Sequence, residues 1–313
     1  MNALRFDGRV AVVTGAGRGI GRAYAHLLAA RGASVVVNDL GGSREGDGID
    51  AAPAQSVVEE IVAAGGQAVA DTNDVSTLDG GSAIIDSAIR HFGRIDAVVN
   101  NAGIVKYGGL PNVELSNVER NLDVHLIGSF TTTRAAWPYF VEQGYGRVVL
   151  TTSSGVFGLD NNLPYASAKA GVIGLARSAK LAGEPHGIRV NVIAPAAVTR
   201  MAVDIPLDGQ TQEVPDFMSP EAVAPMVAVL AHESCPANGE IYTAGGGRFA
   251  RLFIASTEGY LHRGSDFAAP EEVVANWQEI NDEEGYYVPE DLPSWSNSFL
   301  RHQFAPQTRS GAQ

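Results

Sequence analysis

The chain has 313 residues, of which 45% are hydrophobic, and its 35 acidic and 22 basic side chains give a formal net charge of −13. This hydrophobic content argues against an intrinsically disordered chain, and the single cysteine, Cys235, excludes an internal disulfide. The acidic balance argues against nucleic acid or an anionic membrane as a partner, because their phosphates would repel the protein.

Targeting and metal-binding signals are missing from the sequence. Residues 1–8 lead directly into a strand-like run and have none of the layout of a signal peptide. No apolar stretch approaches the roughly 18 residues that span a bilayer, and the last four residues are not a peroxisomal address. Cysteine and histidine do not recur at metal-ligand spacing. We therefore expect a cytoplasmic protein without a metal site.

The chain alternates short β-branched runs with longer helical patterns. The predicted strands are Val10–Thr14, Ala33–Asn38, Ala68–Asp71, Ala97–Asn100, Arg147–Thr151, Arg189–Ile193 and Glu240–Thr243. The predicted helices are Gly21–Arg31, Ser56–Ala64, Ser82–Phe92, most of Asn112–Gln143, and Tyr165–Ala182. This order predicts an α/β fold with a doubly wound, mostly parallel, Rossmann-like sheet and helices on both faces. We expect residues 1–247 to form one dinucleotide-binding and catalytic domain.

Two segments depart from this alternation. Leu40–Asp50 is rich in glycine, aspartate and serine, and we expect it to form a polar loop near the cofactor edge. Residues 248–313 form a C-terminal extension with several aromatic side chains and one short helical pattern, Pro270–Ile280. We expect this extension to pack on its own domain, with a partner subunit as the alternative.

A glycine-rich turn follows the first predicted strand and opens the first predicted helix. It carries Gly15, Gly19 and Gly21 in a Gly-x-x-x-Gly-x-Gly pattern that also includes Arg18 and Ile20. A helix N-terminus offers free N–H groups and a positive dipole end, and glycine lets the backbone approach phosphates closely. The turn is therefore predicted to bind the diphosphate of a dinucleotide cofactor.

The ends of the following strands offer further groups to this cofactor. Asp39, just after the second strand, is expected to accept hydrogen bonds from the adenosine ribose. Its carboxylate would repel a 2′-phosphate, which favours NAD over NADP, although Arg18 could face such a phosphate. Parallel sheets bind ligands at the carboxyl ends of their strands. Additional candidate contacts at those ends are Asp74, Val75, Asn101, Ala102 and Gly103.

Tyr165 and Lys169 are the candidates for proton transfer. Their i, i+4 spacing places both side chains on one face of a predicted helix. A phenol has a pKa of about 10, and a neighbouring ammonium lowers that pKa by stabilising the phenolate. Tyr165 could then accept a proton from an alcohol or donate one to a carbonyl, while Lys169 could also hydrogen-bond a nicotinamide ribose.

Four ordered motifs resemble those of the short-chain dehydrogenase/reductase family. They are Thr14–Gly21, Asn100–Gly103, Tyr165–Lys169 and Asn191–Pro195, within a likeness that covers residues 5–247. Further segments resemble the dehydrogenase part of peroxisomal multifunctional enzyme type 2 and its bacterial relatives, some of which oxidise (3R)-hydroxyacyl-CoA thioesters or 17β-hydroxysteroids. These segments are Asn38–Gly42, Asp123–Phe130, Arg134–Trp137, His232–Cys235 and Ala275–Trp277.

The resemblance implies a role for each matching position. Tyr165 would be the acid/base group and Lys169 its activator. The positions along the cofactor path would be Asn101, Val75, Pro195 and, through its backbone, Val198. The resemblance also implies a homodimer or homotetramer that assembles through the long central helices, near Asn121–Gln143 and Tyr165–Ala182.

Two positions depart from the wider family. The family has a serine thirteen residues before the tyrosine, where its hydroxyl holds the substrate oxygen, and that position here is Thr152. Ser153 is adjacent, and since neighbouring strand residues face opposite sides, only one of the two is expected to serve. We favour Thr152, with Ser153 as the alternative. His125 stands where the wider family has asparagine in a proton relay, and it is either a member of that relay or a structural histidine.

The sequence therefore predicts an NAD-dependent oxidoreductase that acts on a secondary alcohol, either a 3-hydroxyacyl-CoA or a steroid-like hydroxyl. An NADPH-dependent reductase of 3-oxoacyl or other carbonyl substrates is the close alternative, and a non-catalytic nucleotide-binding protein is the distant one. Substrate specificity is expected in the variable stretch Met201–Met218 and in the extension, where no residue pattern identifies the substrate.

Overall fold

The computed structural model describes residues 3–197 and 218–304. The strands are β1 (Val10–Thr14), β2 (Ser34–Asn38), β3 (Gln67–Asp71), β4 (Ala97–Asn100), β5 (Gly146–Thr151), β6 (Ile188–Pro195), β7 (Ile241–Gly245) and β8 (Arg248–Leu252). The α-helices are α1 (Gly19–Ala30), α2 (Ala52–Ala63), α3 (Leu78–Phe92), α4 (Leu115–Leu122), α5 (Gly128–Gln143), α6 (Leu163–Gly183), α7 (Ala224–Ala231), α8 (Pro270–Ala275), α9 (Trp277–Ile280), α10 (Leu292–Phe299) and α11 (Arg301–Phe304).

The strands form one sheet in the order β3-β2-β1-β4-β5-β6-β7-β8. Strands β1 to β7 pair in parallel, and β8 returns antiparallel to β7. The order reverses at β1, from which the chain winds first towards β3 and then towards β7. This confirms the predicted doubly wound, Rossmann-like α/β fold, and its switch point between β1 and β4 is where such sheets bind nucleotides.

Strand residues alternate between two cores on opposite faces of the sheet. Val13 and Val99 pack in one core with α1, α2 and α7, while Val12 and Val98 pack in the other with α3, α5 and α6. All four valines are fully buried. Continuous apolar strands are therefore explained by helices that cover both faces.

Two helices begin earlier than their apolar patterns indicate. Helix α2 starts at Ala52 with Pro53 in its first turn, a position where the missing N–H of proline has no helical partner to lose. Helix α3 is capped by Thr77, whose hydroxyl oxygen accepts a hydrogen bond from the backbone N–H of Gly80 at 2.9 Å. Caps and first turns are polar or neutral, so an apolar periodicity does not detect them.

Within the stretch Asn112–Gln143, predicted to be mostly helical, residues 115–143 form an unbroken helical path with one wide turn. Helix α4 continues into a π-helical segment, Asp123–Ile127, which continues into α5. The capping residues at both junctions have right-handed helical backbone angles, so the chain does not leave the helix. Such wide turns are rare and occur often at functional sites.

The first domain extends five residues further than predicted. The chain divides into two compact units, Met1–Leu252 and Phe253–Gln313. The expected boundary after Gly247 is corrected because residues 248–252 form β8 and pair along the whole of β7. Glycines 245–247 make the tight reversal between these two strands, each with a positive φ.

The second unit is short helices and loops held by its own contacts. Ser256 and Tyr287 pair as an isolated antiparallel bridge, and Trp295 stacks on Phe299. The Glu272 side chain on α8 accepts hydrogen bonds at 2.5 Å from the Tyr260 hydroxyl and the His262 ring. Whether the second unit packs on the first unit or on a partner subunit stays a prediction.

In the two described ranges, no helix has the length and apolar character that a membrane crossing requires.

Candidate active site

The glycine turn connects β1 to α1, and its backbone geometry requires glycine. Gly15 and Gly19 have positive φ angles of 63° and 53°. A Cβ atom on Gly21 would lie 2.2 Å from the carbonyl oxygen of Gly15, so no side chain fits there. Because α1 begins at Gly19, the unpaired N–H groups of its first turn belong to this glycine turn, where they are available to an anion.

Asn101 fastens the glycine turn to the end of β4. Its Nδ2 donates to the carbonyl oxygens of Thr14 and Gly15 at 3.0 and 3.1 Å. The Thr14 hydroxyl oxygen in turn accepts from the backbone N–H groups of Asn101 and Ala102, both at 3.0 Å. The carboxyl ends of β1 and β4 are thereby locked together at the switch point of the sheet.

Asp39 lies beside the glycine turn at the end of β2. Its Oδ2 accepts a hydrogen bond from the backbone N–H of Gly17 at 2.8 Å, and its Oδ1 accepts one from Gly41 at 2.7 Å. These two donors fix the orientation of the carboxylate. Arg18 donates through Nη1 to the carbonyl oxygen of Gly42 at 3.3 Å, so both charged groups border the same loop.

The loop after β3 is fixed by its own turn and by α5. Asp74 Oδ1 accepts from the backbone N–H and the hydroxyl of Ser76 at 2.9 and 2.8 Å. The carbonyl oxygen of Val75 accepts a hydrogen bond from the Thr131 hydroxyl at 2.6 Å. This loop is therefore held in place by a helix of the neighbouring layer.

A single cleft brings most of the predicted cofactor residues together. The predicted cofactor residues that line this cleft are Gly15, Arg18, Gly19, Ile20, Gly21, Asp39, Asp74, Val75, Asn101, Ala102 and Gly103. The loop of residues 40–50 borders the same cleft, as expected. Pro195 ends β6 and does not line this cleft, while Val198 and residues 201–217 of the variable stretch lie outside the described residues.

Tyr165 and Lys169 lie in the first turns of α6, on one face as predicted. The Lys169 Nζ is 5.6 Å from the centre of the Tyr165 ring and donates to the carbonyl oxygen of Thr151 at 2.9 Å. Burial lowers the pKa of Lys169 to about 7. Burial also raises the pKa of Tyr165 above its ordinary value, and a hydrogen bond from Ser153 acts in the opposite direction.

The structure places the two candidate hydroxyls on different partners. Thr152 is buried, and its hydroxyl donates to the carbonyl oxygen of Lys169 at 2.7 Å. Ser153 lies next to Tyr165, where its side chain acts to lower the pKa of the phenol, and its oxygen accepts from the backbone N–H of Gly155 at 3.0 Å. The hydroxyl of Thr152, which the thirteen-residue count favours, is directed to the backbone of α6. These contacts favour the alternative, Ser153, and the choice between the two stays a prediction.

His125 lies in the π-helical segment against Tyr165. The two rings meet edge to face with centres 5.1 Å apart, and His125 Nε2 is 2.9 Å from the carbonyl oxygen of Ile104. Burial, reinforced by the charge of Lys169, lowers the pKa of His125 well below its ordinary value. A neutral ring with Nε2–H donating to Ile104 fits these contacts, and its Nδ1 has no partner among the described residues.

Sequence reasoning missed several residues of the cleft. Arg120 on α4 lines it, together with Asn73 and Ser43. None of the three belongs to a motif, so only their placement in the fold identifies them. Within the described ranges, no group of three or more histidine, cysteine, aspartate or glutamate side chains could hold a metal ion.

Comparison with known proteins places this geometry among dehydrogenases. The family model described as short chain dehydrogenase matches residues 9–208. The chain is 45% identical over 281 residues to a short-chain type dehydrogenase/reductase of Mycobacterium tuberculosis, with 88% of this chain and 95% of that protein covered. It is 46% identical over 284 residues to the peroxisomal multifunctional enzyme type 2 of Drosophila melanogaster.

The match to the Drosophila enzyme covers 89% of this chain but only 46% of that enzyme, so the chain spans less than half of this relative. Among solved structures, the chain is similar to a 7α-hydroxysteroid dehydrogenase complexed with NADH and 7-oxo glycochenodeoxycholic acid. That likeness has a TM-score of 0.68 and 30% sequence identity, and it covers 79% of this chain and 98% of the other.

Proposed function

The chain belongs to the short-chain dehydrogenase/reductase family and is an oxidoreductase, and from this premise we propose that it oxidises a secondary alcohol with NAD. The observation that carries the proposal is the buried Lys169 Nζ, 5.6 Å from the centre of the Tyr165 ring, with the Ser153 side chain next to that ring. This arrangement offers one hydroxyl to orient a substrate oxygen and one to exchange its proton.

The cleft residues fit a nicotinamide dinucleotide. The glycine turn leaves backbone N–H groups free for a diphosphate, and a Cβ atom on Gly17 would lie 2.8 Å from the Asp39 carboxylate, so the approach to that carboxylate is kept open by glycine. Bound there, the nicotinamide would accept a hydride from the alcohol carbon. Tyr165 takes the hydroxyl proton, the Lys169 cation favours the phenolate, and Ser153 holds the substrate oxygen.

Asp39 favours NAD over NADP. Its two backbone hydrogen bonds hold the carboxylate at the edge of the cleft, so it cannot swing away from a 2′-phosphate. Arg18 is a cation within the glycine turn, and its guanidinium donates a hydrogen bond to Gly42 in the loop of residues 40–50. Initial rates with saturating NAD and NADP test this choice, since a preference for NADP would overturn it.

The proposed substrate is a 3-hydroxyacyl-CoA, with a steroid-like hydroxyl as the second candidate. The likeness to a multifunctional enzyme of peroxisomes and to a dehydrogenase solved with a bile-acid derivative supports these two classes. An NADPH-dependent reductase of 3-oxoacyl substrates is the reverse-direction candidate, which Arg18 in the glycine turn would favour. The Tyr165 and Ser153 hydroxyls would serve either direction, because the same proton is exchanged.

A second copy of the chain is the proposed partner. The outer faces of α5 and α6 share an apolar hollow lined by Phe130, Trp137, Pro138, Val141, Leu175 and Ala179. Such a patch on a helix pair favours a homodimer or a homotetramer. Light scattering of the chain and of Val141→Glu tests this assembly, and an unaltered monomeric mass for both would contradict it. A cytoplasmic location stays a prediction.

The proposed function is tested by NADH formation with a panel of 3-hydroxyacyl-CoAs, hydroxysteroids and simple alcohols. The natural chain should turn over at least one class, and Tyr165→Phe should lower kcat by roughly 100-fold or more. Tyr107→Phe is the matched control, because it removes a nearby phenol that is outside the proposed proton path. Full turnover by Tyr165→Phe would overturn the catalytic assignment.

A further inference from the structure

The loop of residues 40–50 is closed by hydrogen bonds between its own residues, and part of it lines the cofactor cleft. The backbone N–H of Asp50 donates to the carbonyl oxygen of Leu40 at 2.9 Å, which joins the two ends of the loop. Ser43 donates in the same way to Asp47 at 2.7 Å, which tightens its tip. Ends that meet and a tip bonded to itself are the marks of a compact surface loop that keeps its shape.

Two arginines that line the cleft hold this loop by its carbonyl oxygens. Arg18, at the N-terminus of α1, donates to Gly42 at 3.3 Å. Arg120, in the last turn of α4, donates through Nη2 to Gly46 at 3.1 Å. Gly42 lies just before the tip and Gly46 lies within it, so the loop is bonded to both α1 and α4.

Gly46 fits this attachment only as glycine. Its φ angle is 92°, and a Cβ atom there would lie 2.9 Å from Ile104 and 3.3 Å from the Arg120 guanidinium. Two residues before Gly46, the carbonyl oxygen of Arg44 accepts a hydrogen bond from the backbone N–H of Val105 at 3.0 Å. The loop therefore rests on the segment that follows β4 as well as on Arg120.

Arg120 has more hydrogen-bond donors than the loop uses. A guanidinium has five N–H donors, of which one is directed to Gly46. Within the described part of the chain, Arg120 forms no ion pair, although the protein carries an excess of negative charge. It lines the same cleft as the glycine turn, where the free N–H groups of α1 lie. An unpaired cation in this position has an anion as its natural partner.

We propose that Arg120, which lines the same cleft as the glycine turn, binds the cofactor diphosphate and, through Gly46, holds the loop of residues 40–50 closed over it. This inference rests on the proposed function, because it assigns a residue to the same nucleotide cleft. Arg120 is a binding and positioning residue and takes no part in proton transfer. Nucleotide affinity and loop closure are coupled through its one guanidinium group.

The test compares Arg120→Met with the natural chain in three binding measurements. NADH binding is followed by nucleotide fluorescence, and ADP and adenosine are titrated as competitors of NADH. Methionine keeps the length and the apolar stem but removes the charge. Loss of a charge-assisted contact to phosphate should weaken NADH and ADP binding by about tenfold or more and leave adenosine within about twofold. Arg90→Met, at an exposed position of α3 outside the cleft, is the control and should bind all three normally.

Limited trypsin digestion measures how accessible the loop of residues 40–50 is to cleavage, and it does not require the enzyme to turn over a substrate. Cleavage after Arg44, detected by the mass of the fragment that begins at Glu45, should be slow in the natural chain and slower still with NADH. It should be several-fold faster in Arg120→Met, and NADH should protect that variant less.

The outcomes distinguish a failure of the Arg120 inference from a failure of the proposed function. If the natural chain binds NADH but Arg120→Met matches it in affinity and in digestion, the inference is wrong and the proposed function stands. Equal weakening of adenosine and ADP would also overturn it, because the effect would then not come from the diphosphate. If the natural chain binds neither NADH nor NADPH, the proposed function itself fails.

Discussion

The Thr152 hydroxyl donates to the carbonyl oxygen of Lys169 at 2.7 Å, whereas the next side chain, Ser153, lies next to Tyr165 and acts to lower the pKa of its phenol. We predict that Ser153→Ala lowers kcat by roughly 100-fold. Thr152→Val, which keeps the shape of the side chain, should leave kcat within about threefold and lower the free energy of unfolding by about 1 kcal/mol through the lost buried hydrogen bond. Steady-state kinetics and urea unfolding measure the two effects, and the reverse pattern would restore Thr152 to the catalytic role.

Lys169 is expected to make stability depend on pH above neutrality. Its pKa is about 7 in the folded chain and 10.5 as an ordinary lysine, so between these values the unfolded chain binds more protons. The free energy of unfolding of the natural chain should therefore rise with pH in that window, by up to about 1.4 kcal/mol per pH unit from this group.

Lys169→Met lacks this titration and supplies the comparison. Its stability relative to the natural chain should be greatest at pH 6, where the buried ammonium is fully charged in both states of the natural chain, and should decline towards pH 10. Urea titrations at pH 6, 8 and 10 measure the difference. A difference that does not vary with pH would show that the pKa of Lys169 is close to its ordinary value.

Two helical glycines should respond in opposite ways to alanine. A Cβ atom on Gly21 would lie 2.2 Å from the Gly15 carbonyl oxygen and 2.5 Å from Asn101 Nδ2, so Gly21→Ala should distort the turn and weaken NADH binding by about tenfold or more. Gly174, in the middle of α6, has nothing within 4 Å of its Cβ position, and Gly174→Ala should stabilise the chain by about 0.5–1 kcal/mol. Fluorescence titration and thermal unfolding check the pair; normal NADH binding by Gly21→Ala would contradict the assignment of the turn.

Asp96 should contribute to stability and not to catalysis. Its buried carboxylate accepts hydrogen bonds from Arg9 at 2.9 Å, from the backbone N–H of Val10 at 2.9 Å, and from Arg94 at 2.7 Å. Asp96→Asn leaves Arg94 without this carboxylate and Arg9 with Glu233 alone, and we expect a loss of about 2 kcal/mol in the free energy of unfolding with unchanged KM values.

The exposed pair Arg5–Asp7 provides the control for Asp96. Asp7→Asn should leave the free energy of unfolding unchanged within the error of the measurement, because solvent screens the pair. Urea midpoints at constant m-value measure both variants. A loss of similar size in the two would show that burial does not govern the Asp96 cluster.

The parts of the fold that repeat a simple pattern could be predicted from the sequence. Buried parallel strands are apolar on both faces and end in Asn, Asp or Thr, so Val10–Thr14 and Ala97–Asn100 are found at the residues expected. Tyr165 and Lys169 share a helix face because α-helical spacing alone dictates it. The run Arg248–Leu252 after three glycines carries a hairpin signal that could have identified β8.

Features that depend on how elements meet could not be predicted in this way. The choice between Thr152 and Ser153 turns on where β5 ends at Thr151, and a residue count from Tyr165 does not contain that information. Arg120 belongs to no motif, and its place in the cleft depends on the fold bringing α4 to the loop of residues 40–50, where Arg120 donates to Gly46. The π-helical segment Asp123–Ile127 has no residue pattern that separates it from an ordinary turn of helix.

The π-helical segment Asp123–Ile127 sets the rotation of α5 relative to α4 about their common helical path. One residue more or less in a helix rotates everything beyond it by about 100°. Arg120 lies before the turn, while Thr131, which holds the carbonyl oxygen of Val75, lies after it. Deleting one residue from Asp123–Ile127 would leave the four ordered motifs, Thr14–Gly21, Asn100–Gly103, Tyr165–Lys169 and Asn191–Pro195, intact and still direct Thr131 away from its loop. Two chains with identical motifs could therefore differ in nucleotide binding through the length of this helix alone.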